Sequence, residues 1–261
     1  MLAQVRRVRE PSNVSDSPRN GVTTRETRWC VECAPANDRR MTVSPDRFPD
    51  PWPLAELALR TPRLELRPDD DPGLCELIEL AHGGVHPPDE MPFTQPWTDT
   101  DPRDLGRASL QYFWRARAGV SPERWAVNFV VRLDGKVIGT QGLMAADFGV
   151  TREVSSGSWL GIPFQRRGLG REMRAAVLAL AFDHLGARAA RSEAFVDNPA
   201  SLGVSRRLGY RDDGSRVALR RGKMATLQRV LLDRAGWEAA RPGWTLEVAG
   251  LDGCLGLLGA G

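Results

Sequence analysis

Gln165-Arg166-Arg167-Gly168-Leu169-Gly170 lies between a strand pattern and the most regular helix pattern of the chain. The strand, about Glu153 to Leu160, ends before Pro163. The helix runs from Gly168 to Leu185: Met173, Ala176, Val177, Leu180, Ala181 and His184 follow the 3.6-residue period, and Gly186 supplies the stop. A glycine-bearing loop that opens a helix exposes several unpaired backbone N–H groups, and the helix dipole adds partial positive charge there. That combination suits a pyrophosphate. Gly168 and Gly170 let the backbone approach a ligand with no Cβ in the way. Arg166, Arg167 and Arg171 would add charge-assisted bonds to phosphate. The loop has no Gly-Lys-Ser/Thr ending and no three-glycine dinucleotide spacing, so neither a nucleoside-triphosphate loop nor a dinucleotide fold fits. An ordinary helix start with two glycines has the same local pattern, so the surroundings must decide.

Downstream, a strand at about Ala189 to Val196 leads to Asn198 and Pro199, a helix cap and first turn, and that helix ends at Leu208-Gly209. Arg216 to Leu219 and Ala225 to Asp233 read as a closing hairpin around Arg221-Gly222. Upstream, Leu59 to Arg67 reads as one exposed strand, with Leu64 and Leu66 on one face and Arg63, Glu65 and Arg67 on the other. Asp70 and Asp71 start a helix reaching about Ala81. A proline-rich loop spans Val85 to Pro102, and Asp101 starts a second helix carrying Leu105, Tyr112, Phe113 and Ala116. Trp125 to Leu133 and Lys136 to Ala145 are apolar runs joined by Asp134-Gly135, a strong two-residue hairpin signal.

The composition sets outer bounds. A chain of 261 residues with 41% hydrophobic content supports one domain with appendages. With 26% charged residues and a net charge of only +3, no global basic field points to nucleic acid. Charge is instead local: Asp69 to Asp104 is strongly acidic, and Gln165 to Arg174 carries four arginines against Glu172. Four scattered cysteines argue against a disulfide scaffold and for a reducing cytoplasm. Cys30 and Cys33 have metal-ligand spacing, but no second pair or nearby histidine completes a site, so no metal is expected. No apolar run reaches the roughly 18 residues of a membrane span, and the first thirty residues lack the apolar stretch of a signal peptide. Residues 1–53 show no lasting period and are expected to be a disordered extension. Trp244 to Val248 would add a strand, and residues 239–261 would dock on the domain or on a partner chain, including a second copy in a homodimer.

The loop Gln165–Gly170 resembles the acyl-CoA loop of the GNAT superfamily, Arg/Gln-x-x-Gly-x-Gly/Ala. The run Asn198-Pro199-Ala200-Ser201-Leu202-Gly203-Val204-Ser205-Arg206-Arg207-Leu208-Gly209-Tyr210 resembles its second signature. Arg60-Thr61-Pro62-Arg63-Leu64-Glu65-Leu66-Arg67 resembles the first strand of the branch that acetylates ribosomal-protein N-termini. The likeness covers about Leu59 to Glu238, with elements in the family's order, and places the domain at 54–238. It implies an α+β, three-layer fold in which a mixed, mostly antiparallel, splayed sheet is flanked by helices. It implies acetyl-CoA or another acyl-CoA as co-substrate. The pantetheine arm would lie between the strands at 153–160 and 189–196, bonded to backbone around Leu160, Gly161 and Ile162. The N–H groups of Arg167 to Gly170 would take the pyrophosphate, flanked by Gln165, Arg166 and Arg171, with Asn198 and Ser201 on the cofactor's other side.

The same resemblance frames the chemistry. An acceptor amine, a small molecule or a protein N-terminus, attacks the thioester carbonyl directly, and a backbone N–H of the strand at 153–160 stabilises the oxyanion. Many relatives place a tyrosine acid where this chain has Ser205, so Ser205 is the candidate for protonating, or hydrogen-bonding, the departing thiolate. Glu153 is the first candidate base, with Glu193, Asp197, Asp89 and Glu90 as competitors. Glu90, Phe93 and Trp97 fall where the family lines its acceptor site. Two alternatives stand beside acetyl transfer: a CoA-binding regulatory module without turnover, and a succinyl-CoA-using transferase of the same fold. A basic residue near the acyl carbon would mark the latter.

Overall fold

The computed structural model describes residues 50–261. The expectations for residues 1–49, with Cys30 and Cys33, lie outside the described residues. Among the described residues, nine strands form one sheet: β1 Ala58–Arg60, β2 Leu64–Pro68, β3 Arg124–Leu133, β4 Lys136–Ala146, β5 Glu153–Leu160, β6 Ala189–Phe195, β7 Arg211–Arg220, β8 Lys223–Asp233 and β9 Glu247–Ala249. Their order is β7-β8-β6-β5-β4-β3-β2-β1-β9. The pairs are antiparallel except β5 with β6. The helices are α1 Asp71–His82, α2 Pro102–Ala118, α3 Phe148–Thr151, α4 Leu169–Ala179, α5 Pro199–Arg207 and α6 Arg234–Ala240. A π-turn, Leu180–His184, prolongs α4.

Side chains alternate in direction along β3, which is buried on both faces at Val127 to Val131, and so divide the core between the sheet's faces. Trp125, Val127, Phe129 and Val131 pack with Met173 and Val177 of α4 and Leu180 of the π-turn, whereas Val130 packs with Leu74, Leu77 and Phe113 of α1 and α2. The result is the expected three-layer α+β architecture around a mixed, mostly antiparallel sheet. Local chemistry closes the elements where the sequence signals them. Asp70, Asp101 and Asn198 cap their helices by accepting from Gly73 N, Arg103 N and Ser201 N. Asp134-Gly135 and Arg221-Gly222 both turn with positive φ at each residue, as two-residue hairpins require.

Three stretches differ from expectation. Leu59 to Arg67 is not one strand but a hairpin, with Leu59 opposite Leu66 and Arg60 opposite Glu65. Thr61 makes the turn: its hydroxyl accepts from Leu64 N at 3.0 Å and donates to Glu172 at 2.6 Å. Pro62 has no N–H to continue a ladder. β7 starts at Arg211 rather than Arg216, because an irregularity between Asp212 and Ser215, with Gly214 at φ 78°, breaks the alternation. Finally, β9 pairs with β1, and Cys254 and Leu258 sit in the main core, where Trp125 Nε1 donates to Leu258 O at 3.0 Å. The C-terminal residues thus pack on this chain's own sheet.

Candidate active site

A gap opens in the sheet between its parallel strands. β5 and β6 pair at Glu153–Ala189, Val154–Ala190 and Ser155–Arg191, and then separate. Each keeps its other neighbour: β5 stays on β4 to Gly139–Leu160, and β6 stays on β8 to Phe195–Leu227. Their facing edges are therefore left without a ladder. Arg188 N donates to Arg152 O, and the Ser192 hydroxyl reaches Ser156 O. Even-numbered residues of β5 therefore direct their N–H and C=O toward β6. Beyond the split, both backbone groups of Ser158 and the N–H of Leu160 point into the gap, which buried backbone cannot leave unsatisfied without cost. The surrounding cleft measures about 2170 Å³ and extends from the α4 N-terminus to the proline-rich loop.

At one end of the gap lies the loop Gln165–Gly170. Arg166 has φ 58° and Gly168 φ 77°, so the chain alternates hand and curls its N–H groups inward. The N–H groups of Gly168, Leu169 and Gly170 meet no acceptor among the described residues. Leu160, Ile162, Gln165, Arg166, Gly168, Gly170 and Arg171 line the cleft, as do Asn198 and Ser201 from α5. Gly161, Arg167 and Leu169 do not: Leu169 is core, and the Arg167 carbonyl instead accepts from Arg63 Nη1 at 3.3 Å. The Gln165 amide spends both donors inside the protein, on Val85 O at 2.7 Å and Leu160 O at 2.8 Å. It ties the proline-rich loop to the end of β5.

Buried Glu172 clamps this end. It accepts from the Thr61 hydroxyl, Arg63 N and Arg63 Nε at 2.6, 3.1 and 2.6 Å. The β1–β2 turn is thereby bound to the first turn of α4, where a carboxylate also complements the helix dipole. The sequence reading counted Glu172 only as a charge and missed this role.

The other end is aromatic. His86, Phe93, Trp97 and Trp159 form a chain of ring contacts, with centroid separations of 5.6, 5.3 and 5.5 Å, that seats residues 86–97 against β5. His86 bonds Pro87 O and the Thr98 hydroxyl, each at 2.7 Å, so both ring nitrogens serve the loop's own structure. Arg221, at the tip of the β7–β8 hairpin, grips both Asp99 oxygens at 2.6 and 2.8 Å and Pro88 O at 3.1 Å. Its hydrogen bond holds the Asp99 carboxyl below the usual aspartate range. Glu90, Phe93 and Trp97 all line the cleft. Glu90 has no ion-pair partner among the described residues.

The two catalytic candidates stand elsewhere. Glu153, at the start of β5, lies before the split, bonds Arg191 at 2.8 Å and lines a separate pocket. Of its competitors, Glu193 borders the cleft but is bound to Arg216, and Asp197 is bound to Arg220; Asp213, also at the border, is bound to Arg191. Ser205 is 1% exposed and is not a lining residue. Its hydroxyl donates to Ser201 O at 3.2 Å and accepts from Arg174 Nη1 at 2.9 Å. Arg174, which does line the cleft, escaped the sequence reading. Its signal was a charge on the helical stripe it shares with Val177 and Ala181.

A family model described as an acetyltransferase (GNAT) domain matches residues 63–211. The chain belongs to this family. That span contains the split strands, the phosphate-type loop and α5. Solved structures agree on the fold. A GCN5-related N-acetyltransferase from Brucella melitensis is 21% identical with TM-score 0.57, over 70% of this chain and 81% of that one. A ribosomal-protein alpha-N-acetyltransferase, RimL, solved in complex with coenzyme A, is 17% identical with TM-score 0.52, over 66% and 95%. A chimeric spermidine N-acetyltransferase, SpeG, built on the Vibrio cholerae protein, is 17% identical with TM-score 0.52, over 67% and 98%. Among the described residues no helix is long and apolar enough to cross a membrane, and no cluster of three His, Cys, Asp or Glu could hold a metal.

Proposed function

We propose that this GNAT protein transfers an acetyl or other short acyl group from coenzyme A to a primary amine by direct attack in a ternary complex. The observation that carries the reading is the gap past Ser155–Arg191, with unpaired helix N–H groups at one end and an aromatic, acid-bearing loop at the other. The residues present fit the co-substrate: a left-handed curl of free N–H groups for phosphates, and strand-edge N–H groups for an amide-bearing arm. Coenzyme A supplies the acyl group as a thioester, which an amine can attack.

The chain's own groups then divide the work. Gly168 to Gly170 bind the pyrophosphate, with Arg166 and Arg171 adding charge at the mouth. The free N–H of Ser158 on β5 stabilises an oxyanion at the carbonyl carbon. Phe93 and Trp97 hold the acceptor's apolar part. Glu90, unpaired, draws the ammonium in and offers a carboxylate for its proton, directly or through water. Ser205 acts on the sulfur side by ordering a water rather than as a lone acid. The acceptor class is a small amine or a protein N-terminus. Cys75 and Cys254, not disulfide-bonded to each other, suit a reducing compartment such as the cytoplasm.

Isothermal titration of the full chain with coenzyme A tests the site. Saturable one-to-one binding that competes with acetyl-CoA is expected, and absence of binding would remove the proposal.

A further inference from the structure

α4 carries a cation inside its apolar layer. Arg174 is 5% exposed, four residues past Gly170, and its side chain lines the cleft. Nη1 donates to the Ser205 hydroxyl, but Nε is buried without any acceptor. No carboxylate among the described residues pairs with it. Glu172 turns to Thr61 and Arg63, Glu193 is held by Arg216, and Asp213 is held by Arg191.

The neighbours compound the imbalance. Tyr210 lies beside both Arg174 and Ser156, and the hydroxyls of Tyr210 and Ser156 are buried within reach of one another and meet no other partner among the described residues. Burial pushes the Tyr210 pKa up, so its hydroxyl stays neutral and supplies no counter-charge. Burial also pulls the Arg174 pKa down, yet a guanidinium stays protonated in proteins. Three side chains able to donate therefore converge where no protein anion answers them. A buried charge left without its partner is strongly disfavoured, so such a cluster is completed by a ligand.

The proposed reaction narrows which ligand that is. The pyrophosphate is served at the helix N-terminus, the thioester is neutral, and the amine is a cation that Arg174 would repel. The acceptor side of β5, with Trp159 and Trp97, is the opposite face of the sheet from α4. What remains is the acyl chain. We infer that Arg174, with Tyr210 and Ser156, is the subsite for a carboxylate at the far end of the acyl group, so that the preferred donor is the coenzyme A half-thioester of a short dicarboxylic acid. In the transfer the amine nitrogen bonds to the thioester carbonyl carbon and the C–S bond breaks. The ammonium proton is lost, the thiolate takes up a proton, and the distal carboxylate is unchanged. This rests on the acyltransferase reading above and narrows its donor.

Calorimetric titration of the full chain with coenzyme A, acetyl-CoA and succinyl-CoA tests it. Succinyl-CoA should bind at least about tenfold more tightly than acetyl-CoA, the scale of a hydrogen-bonded charge pair. In Arg174→Met that ratio should fall to near one, while coenzyme A and acetyl-CoA keep their affinities within about twofold. Tyr210→Phe should lower the ratio part-way. Equal binding of succinyl-CoA and acetyl-CoA by the wild type overturns the inference, and that ratio decides even if Arg174→Met fails to fold. A proportional loss for all three ligands in Arg174→Met also overturns it, assigning the cation to the sulfur or to packing. If none of the three binds the wild type, it is the acyltransferase reading itself that has failed.

Discussion

Gly168→Ala isolates the backbone of the phosphate loop from its side chains. Gly168 has φ 77°, and a Cβ built there would meet nothing closer than Arg63 Nη2 at 3.6 Å. The substitution is therefore free of collision, and its whole effect is conformational. Holding an L-residue in the left-handed region costs about 1–2 kcal/mol. If the loop keeps its shape, that strain appears as stability, a fall in Tm of about 2–4 °C per kcal/mol for a unit of this size. If the loop relaxes to negative φ, the N–H groups of Gly168 to Gly170 turn away from the ligand. Coenzyme A affinity then falls, by about five- to thirtyfold on the scale of about 1.4 kcal/mol per tenfold. Gly203→Ala is the control: it sits in α5 with nothing within 4 Å of a new Cβ. It should leave binding unchanged and stabilise slightly, by about 0.5–1 kcal/mol. Calorimetry and a melting curve read both variants. A folded Gly168→Ala with wild-type Tm and wild-type coenzyme A affinity would refute the reasoning.

Ser205→Ala removes the hydroxyl that joins Arg174 to Ser201 O. Coenzyme A affinity should stay nearly intact while turnover falls by about tenfold to a hundredfold; lost affinity with unchanged turnover would make Ser205 a packing residue. Asp99→Asn loosens the hairpin's hold on the aromatic loop and should raise KM for the amine by no more than about fivefold, because exposed ion pairs contribute little. The same pair sets a pH sign. Arg221 depresses the folded-state pKa of Asp99, so the contact is fully present above the ordinary aspartate value of about 3.9 and is lost as pH falls through the depressed one. Amine KM should therefore be insensitive to this pair between about pH 5 and 8, and a wild-type rise across that range that Asp99→Asn abolishes would contradict the assignment.

Local signals carried much of the fold. Caps such as Asp70 and Asn198, turns such as Asp134-Gly135, and the stripe of α4 are set by neighbours in the chain, and each appears where its residues indicate. The hairpin at Thr61–Arg63 was illegible because what fixes its turn, Glu172, is more than a hundred residues away. The irregularity near Gly214 hid the start of β7 by breaking the period on which strand reading depends. The site divides the same way. The phosphate loop was readable because its chemistry lies in consecutive backbone groups. Arg174, Tyr210 and Ser156 come from α4, the turn between α5 and β7, and β5, and only the packing of α4 and α5 against the sheet joins them. Glu153 is a candidate base through the family resemblance; its pairing with Arg191 before the split is a fact of register that no local pattern shows.

Amine-dependent acyl transfer from coenzyme A in the gap between β5 and β6 is open to one direct measurement. Thiol release by the full chain, measured over a panel of acyl-CoAs and of amines including peptide N-termini and polyamines, tests it directly, with mass spectrometry of the amine product. Release that requires the amine, matches acylated product one for one and disappears without enzyme is the predicted result. Tight coenzyme A binding with no amine-dependent release from any donor would contradict it and make the protein a coenzyme A-binding regulatory module.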